Sequence, residues 1–137
     1  MLRGLVVTHG ELGRVLVTTA EGIVGPAEDL EVLSNQGHSR ESLAAAVEER
    51  IRAWGGVEGI LLTDVPGGSC TQAVLSRLPQ HPNLRVVSGA NLSMIVDFLA
   101  HRDRFGAQEM AERLIARGRA AVRSFPAPEP GAGRTPS

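Results

Sequence analysis

Short apolar runs alternate along this chain with stretches in which apolar residues recur at helical spacing, and this alternation limits the possible folds more than any other feature. The run GVEGILLTD, residues 56–64, has a continuously apolar centre, which is typical of a parallel strand covered on both faces. Leu43, Val47 and Ile51 form one stripe of a helix that Ser39 is placed to cap. The pattern predicts strands over residues 2–8, 29–34, 56–64 and 83–89.

Helices are predicted between and after these strands, over residues 11–25, 39–54, 70–78, 90–102 and 107–118. Ser69 is the expected N-cap of the third helix and Asn91 that of the fourth. Strands that alternate with helices indicate an α/β fold, doubly wound, with a mainly parallel sheet and helices on both faces. The expected strand order is 2-1-3-4, which opens a ligand crevice at the carboxyl ends of strands 1 and 3.

The domain organisation follows from length and composition. The chain has 137 residues, the usual size of one domain, and we assign residues 1–124 to it. Residues 125–137, FPAPEPGAGRTPS, are rich in proline, alanine and glycine and are predicted to form a flexible tail.

Charge and composition exclude several classes of partner. The net charge is −1, and there are three Phe, one Trp and no Tyr, so nucleic acid is not an expected partner. Cys70 is the only cysteine, which is consistent with a reducing cytosol. The first apolar run ends at His9, too early for a signal peptide, and no run approaches the length of a membrane span. We therefore expect a cytoplasmic protein.

A histidine and a carboxylate mark the predicted crevice. Strand 1 ends in Thr8-His9-Gly10, and strand 3 ends in Asp64, followed by Val-Pro and then Gly67-Gly68-Ser69. Imidazole is a nucleophile that titrates near neutral pH, and a carboxylate on one ring nitrogen fixes the tautomer that leaves the other free to attack. Glycine backbone N–H groups and the Ser69 hydroxyl can approach an anion closely. These residue types together predict transfer of a phosphoryl or acyl group.

Common cofactor motifs are missing from the sequence. It has no G-x-x-x-x-G-K-[ST] and no G-x-G-x-x-G after the first strand. Metal-ligand spacings such as H-E-x-x-H or paired C-x-x-C are also missing. We therefore expect neither cofactor nor metal, and a phosphoryl group would have to arrive from another protein or a small donor.

At these residues the sequence resembles the mannose-family enzyme IIA domains of the bacterial phosphoenolpyruvate-dependent sugar phosphotransferase system. Three stretches carry the resemblance: GLVVTHGELGRVLVTTAEGIVG, GILLTDVPGGSCTQAV and VVSGANLSMIVDFL. Their order and spacing match from about Leu2 to the fifth helix. Val65-Pro66, Cys70 and Ser93 depart from the residues common in the family, which affects the partner surface more than the chemistry.

The resemblance implies a function and a set of site residues. His9 would accept a phosphoryl group from the phosphocarrier protein HPr and pass it to a histidine of an enzyme IIB partner. Asp64 would hydrogen-bond His9, while the phosphate-binding residues would be Gly10, Gly67, Gly68 and Ser69. The resemblance also implies a homodimer, for which residues 120–125 are the one segment that could be exchanged as a strand, and contact with a membrane only through transporter components.

Three alternatives to transport remain open at this stage. The chain could be a regulatory protein that is phosphorylated without feeding a transporter. It could be the phosphotransfer subunit of a dihydroxyacetone kinase, which also uses a histidine after strand 1. It could also be a non-catalytic module that captures a small anion at Gly67-Gly68-Ser69.

The other titratable residues have structural interpretations. His38, His81 and His101 are expected to be solvated surface residues, and the arginines of the fifth helix are expected to form a solvated face. Cys70 lies in the first turn of a helix, where a thiolate is favoured. We nevertheless interpret it as a small packed residue.

Overall fold

Ten short elements of regular structure make up the part of the chain that the structure describes. The structure, a computed structural model, describes residues 1–27 and 29–131. In chain order it contains β1 (Arg3–Thr8), α1 (Leu12–Val24), β2 (Leu30–Ser34), α2 (Arg40–Ala53), β3 (Gly59–Thr63), α3 (Ser69–Leu75), a 3-10 turn (Leu78–Gln80), β4 (Leu84–Ser88), α4 (Leu92–His101) and α5 (Ala107–Ala120). Residues 125–131 of the predicted tail carry no helix or strand, and residues 132–137 of it lie outside the described residues.

The four strands form one parallel sheet in the order β2-β1-β3-β4, so the predicted order 2-1-3-4 is confirmed. Val7 of β1 pairs with Leu33 of β2 on one side and with Thr63 of β3 on the other. This register brings the carboxyl ends of β1 and β3 to the same level of the sheet. The residues that follow them, His9 and Asp64, therefore share one edge.

Both faces of the sheet are covered, because successive strand residues point to opposite sides. Helices α1, α4 and α5 pack on one face, where the buried residues include Val6, Leu62, Val17, Ile95, Phe98 and Leu114. Helices α2 and α3 pack on the other face, where they include Leu5, Val7, Leu61, Leu43, Val47 and Val74. The predicted doubly wound α/β architecture is confirmed.

The turn from β1 into α1 is tightly built. Gly13 donates its backbone N–H to the buried Oγ1 of Thr8 at 2.7 Å. A Cβ on Gly13 would lie 2.8 Å from that oxygen, so only glycine allows the helix to start this close to the strand. The contact fixes the segment between them, which holds His9, against the end of the sheet.

The helix boundaries confirm two of the predicted caps and correct one. Ser39 caps α2 by accepting from Ser42 N, and Asn91 caps α4 by accepting from Met94 N. The N-cap of α3 is Gly68, with Ser69 as the first helical residue, so the prediction that Ser69 caps this helix was wrong. Its hydroxyl is instead free to face the crevice.

The segment proposed for strand exchange contains no strand in this chain. Helix α5 extends to Ala120, and residues 122–129 have no regular secondary structure. Within residues 1–27 and 29–131, no helix is both long and apolar enough to cross a membrane.

Two histidines and one arginine that were expected on the solvated surface are instead partly buried. His81 Nε2 lies 2.6 Å from Oε2 of the buried Glu48, and His101 Nδ1 lies 3.3 Å from Oδ1 of Asp97. Arg113 donates two hydrogen bonds to the Asp97 carboxylate, at 2.7 and 3.1 Å. Buried carboxylates need such partners, and sequence spacing alone did not indicate them.

Candidate active site

His9 and Asp64 meet at the carboxyl edge of the sheet. Asp64 Oδ2 accepts the backbone N–H of His9 at 3.0 Å and lies 2.9 Å from the His9 ring nitrogen Nδ1. The second carboxylate oxygen, Oδ1, accepts the backbone N–H of Val65 at 3.0 Å. The carboxylate therefore holds both the backbone and the ring of the histidine.

Solvent exposure differs sharply between the two residues. The His9 side chain is 45 % exposed, while that of Asp64 is 7 % exposed. Burial alone would raise the pKa of Asp64, but the hydrogen bonds from the His9 backbone and ring and from the backbone of Asp64 itself outweigh it, so the pKa is lowered. Asp64 is therefore a carboxylate at neutral pH, and an ionised acceptor faces the ring.

An ionised acceptor at Nδ1 determines the tautomer of the neutral ring. The proton lies on Nδ1, where it is donated to Asp64, and the lone pair lies on Nε2. Nε2 faces the crevice, 3.3 Å from Ser69 Oγ. The atom with nucleophilic character is therefore Nε2, and a hydroxyl stands beside it.

The Gly67-Gly68-Ser69 segment packs against the histidine ring. Gly68 donates its N–H to the carbonyl of Val65 at 2.9 Å, which closes a tight turn. A Cβ on Gly68 would lie 3.3 Å from His9 Cε1, whereas one on Gly67 would have no atom within 4 Å. Gly68 thus allows the backbone to approach the ring, and Gly67 borders open space beside it.

Helix α3 starts directly under this turn. It has no side-chain hydrogen bond at its N-cap, so the backbone N–H groups of its first turn need another acceptor. The hydroxyl of Ser69 and these N–H groups give the crevice a donor-rich wall next to Nε2, suited to the oxygens of a phosphoryl group.

Gly10 has a structural task in the turn after His9. Its φ of 55° is a left-handed conformation that favours glycine. Its N–H donates to Asn35 Oδ1 at 3.0 Å, and its carbonyl accepts from Ser34 Oγ at 2.8 Å. The N–H expected to bind phosphate is thus engaged within the protein.

Sequence reasoning missed the residues that support this site from the neighbouring strands. Ser34 ends β2 and Asn35 follows it, and these polar side chains at the end of an apolar strand were the available signal. Thr71 donates to the carbonyl of Val65 at 2.6 Å and lies 2.7 Å from Thr63 Oγ1. The contact with Val65 holds the loop after β3 in place.

Cys70 lies behind the histidine. Its side chain is fully buried, and Sγ is 3.7 Å from His9 Nδ1. Burial, followed by the charge of Asp64, raises the pKa of the thiol to about 11. A thiolate is therefore not favoured in the protein as it stands, and the interpretation of Cys70 as a packed residue is confirmed.

Comparison with known proteins decides the family. The family described as the PTS system fructose IIA component matches residues 4–115. The chain belongs to this family. Membership implies a phosphocarrier role in sugar uptake for this IIA domain.

Individual relatives agree with the family assignment. The IIA domain is 22 % identical over 116 residues to the sorbose-specific EIIA component of Klebsiella pneumoniae, covering 85 % of this chain and 86 % of that one. It superposes on the mannose/sorbose-specific IIA subunit from Enterococcus faecalis with a TM-score of 0.84 at 23 % identity, over 93 % and 97 % of the two chains. For component EIIA from Streptococcus agalactiae the TM-score is 0.83 at 22 % identity, over 91 % and 98 %.

Proposed function

We propose that His9 accepts a phosphoryl group from phosphorylated HPr on Nε2 and passes it to a histidine of an enzyme IIB partner. The observation that carries this proposal is the contact of 2.9 Å between His9 Nδ1 and Asp64 Oδ2. It leaves Nε2 as the ring atom with a lone pair, on the exposed side of the ring.

Each residue of the site has a part in the proposed transfer. The Nε2 lone pair forms a bond to phosphorus while the bond to the donor breaks, and the proton on Nδ1 stays in place. The ring becomes cationic in this step, and the Asp64 carboxylate stabilises that charge. Ser69 Oγ and the N–H groups at the start of α3 donate to the phosphoryl oxygens.

The exposure of the histidine supports a protein as donor and acceptor. A side chain that is 45 % exposed on the edge of the sheet can enter the site of a partner, as a relay between two proteins requires. Transfer in either direction uses the same nitrogen and the same carboxylate. We therefore propose the same geometry for loading from HPr and for unloading to IIB.

Intact mass tests the proposal. After incubation with phosphoenolpyruvate, enzyme I and HPr, the wild-type chain is expected to gain one acid-labile phosphate, and His9→Ala is expected to gain none. His38→Ala is the matched control, because it removes a histidine that is also exposed but whose ring contacts Ser42 and not Asp64. A phosphorylated His9→Ala chain, or an unmodified wild-type chain with an active relay, would contradict the proposal.

The acceptor is tested with the loaded chain. Transfer to a IIB partner supports the role in transport, and stable phosphorylation without transfer to any IIB points to a regulatory protein. Transfer to the nucleotide subunit of a dihydroxyacetone kinase would assign the chain to that system instead. Binding of inorganic phosphate without a covalent product would leave only an anion-binding module.

We also propose that the chain forms a homodimer through the exposed edge of β4. A groove beside this edge is lined in part by Val86, Ser88, Ile115 and Val122. The Val122 and Phe125 side chains that follow α5 are 82 % and 67 % exposed. Apolar side chains next to an unpaired strand edge are suited to exchange between two copies.

Light scattering after size exclusion tests the dimer. The full chain is expected to elute with the mass of two copies, and Val122→Asp combined with Phe125→Asp is expected to shift it to one. Val57→Asp is the control, since it places an aspartate on another exposed valine. A wild-type chain with the mass of one copy at all concentrations would contradict the dimer.

A further inference from the structure

Three atoms that bind transition metals converge behind the reactive face of His9. His9 Nδ1 lies 2.9 Å from Asp64 Oδ2 and 3.7 Å from Cys70 Sγ. The ligand atoms of the three residues all lie within 4.8 Å of one another. We propose that His9, Asp64 and Cys70 form a binding site for Zn²⁺ and for similar divalent ions such as Co²⁺.

The donor set fits zinc, as does the spacing between the nitrogen and the sulfur. Nitrogen, sulfur and carboxylate oxygen are the zinc ligands of proteins, with bonds of about 2.0–2.3 Å, and tetrahedral geometry then separates ligand atoms by roughly 3.3–3.7 Å. The nitrogen–sulfur distance of 3.7 Å is already in this range. The nitrogen–oxygen distance of 2.9 Å belongs to a hydrogen bond and needs to widen by only a few tenths of an ångström.

The three ligands are held by different elements, so the site is built by the fold. His9 follows β1, Asp64 follows β3, and Cys70 is the second residue of α3. The side chains of Asp64 and Cys70 are buried, while that of His9 is half exposed. An ion among them would have three protein ligands and one position open to water, the arrangement of zinc sites that are not closed.

Charge also favours a cation at this position. The carboxylate of Asp64 is ionised. It can bind a metal and keep its backbone contacts, because the His9 and Val65 N–H groups occupy lone pairs of the two oxygens that the metal does not use. On binding, the Cys70 thiol gives its proton to solvent, and the metal takes the place of the proton on Nδ1. Two negative ligands then neutralise the dication.

Metal binding and phosphorylation require opposite tautomers of His9, a consequence that rests on the proposed function. A metal on Nδ1 moves the ring proton to Nε2, and Nε2 then has no lone pair with which to attack phosphorus. A phosphoryl group on Nε2 in turn leaves Nδ1 protonated and unable to bind the metal. Each ligand therefore weakens the other by the same factor, and zinc would switch the carrier off.

Metal titration tests the site without any phosphotransfer. The metal-free full-length chain is expected to bind one Zn²⁺ in calorimetry, and its Co²⁺ complex is expected to show a thiolate-to-cobalt charge-transfer band. Cys70→Ala is expected to lose the band. Its affinity for Zn²⁺ is expected to fall by more than roughly 10–100-fold, which is the effect of losing an outer-shell partner. Cys70→Ser is tested beside it, with thermal melting as the check that each variant folds.

Two outcomes would overturn the metal site. One is a wild-type Co²⁺ complex without a thiolate band, which requires no variant to interpret. The other is equal Zn²⁺ affinity in the wild type and in a folded Cys70 variant, which would assign the ion to another part of the surface. His38→Ala serves as the control for binding at an exposed histidine.

A second arm tests the exclusion of phosphate by metal. Purified phospho-HPr is mixed with each chain, and the rate of phosphorylation with saturating Zn²⁺ is divided by the rate of the same chain without it. The ratio is expected to fall at least about tenfold in the wild type, because only the metal-free fraction has a lone pair on Nε2, and far less in Cys70→Ala. Equal ratios would overturn the exclusion. A wild type that takes no phosphate even without zinc would refute the proposed function while the titration still decides the metal site.

Discussion

Replacing Asp64 by asparagine is expected to slow the phosphorylation of His9 by up to about 10⁴-fold, the loss seen when the orienting carboxylate of a catalytic histidine becomes an amide. The change preserves the size of the side chain but removes its charge. It therefore acts on the chemistry of the ring rather than on the packing around it.

The contacts of Asp64 explain why an amide cannot replace it. The carboxylate accepts from the His9 ring and backbone at Oδ2 and from Val65 N–H at Oδ1, whereas an amide has only one acceptor oxygen. If the amide oxygen faces His9, the Val65 N–H loses its acceptor and the cationic ring loses its counter-charge. If the amide nitrogen faces His9, it donates to Nδ1 and moves the ring proton to Nε2, which can then no longer attack.

Rapid-mixing measurements with saturating phospho-HPr check this prediction, since saturation separates the transfer step from partner binding. Asp103→Asn is the matched control, because it removes the same charge from an exposed position and is expected to react at the wild-type rate. An Asp64→Asn chain that is phosphorylated within about twofold of the wild-type rate would show that the carboxylate does not orient the nucleophile.

The pairing of His9 with Asp64 was predictable because it depends on topology. Periodicity located β1 and β3, and the order 2-1-3-4 brings their carboxyl ends together, so the residues that follow the two strands must be neighbours. The hydrophobic pattern and the strand order are sufficient to predict this pairing, although the two residues are far apart in sequence. The Gly67-Gly68 turn followed for the same reason, because it continues directly from Asp64.

Other parts of the site depend on atomic distances that no pattern encodes. The first residue of α3 depends on which backbone N–H groups find partners, and the sequence pattern does not show this. The N-cap was therefore predicted at Ser69, one residue after the observed N-cap, Gly68. Cys70 points toward His9 because it is the second residue of that helix, and a shift of one residue turns a side chain by about 100°. The contacts of Gly10 with Ser34 and Asn35 depend equally on the exact end of β2.

Replacing Phe98 by alanine is expected to lower the free energy of unfolding by about 3–5 kcal/mol, the largest effect on stability that we predict. Phe98, on α4, is the largest fully buried side chain among the chain's described residues. It packs directly over β1, because a Cβ on Gly4 would lie 2.9 Å from its ring and 2.7 Å from Leu30 Cδ1. The same contact predicts that Gly4→Ala costs about 1–3 kcal/mol by overpacking.

The two changes are expected to compensate each other in part. In the double variant the methyl group added by Gly4→Ala enters space that the Phe98 ring has left, so the total loss should be smaller than the sum of the single losses by about 1 kcal/mol. Urea unfolding at one fixed protein concentration gives the four free energies. Gly22→Ala is the control, since a Cβ there meets no atom within 4 Å and an alanine within α1 should stabilise the helix by up to about 1 kcal/mol. Additive losses would mean that the added methyl group clashes with Leu30 and not with Phe98, so that Gly4 would not be needed for the approach of the Phe98 ring.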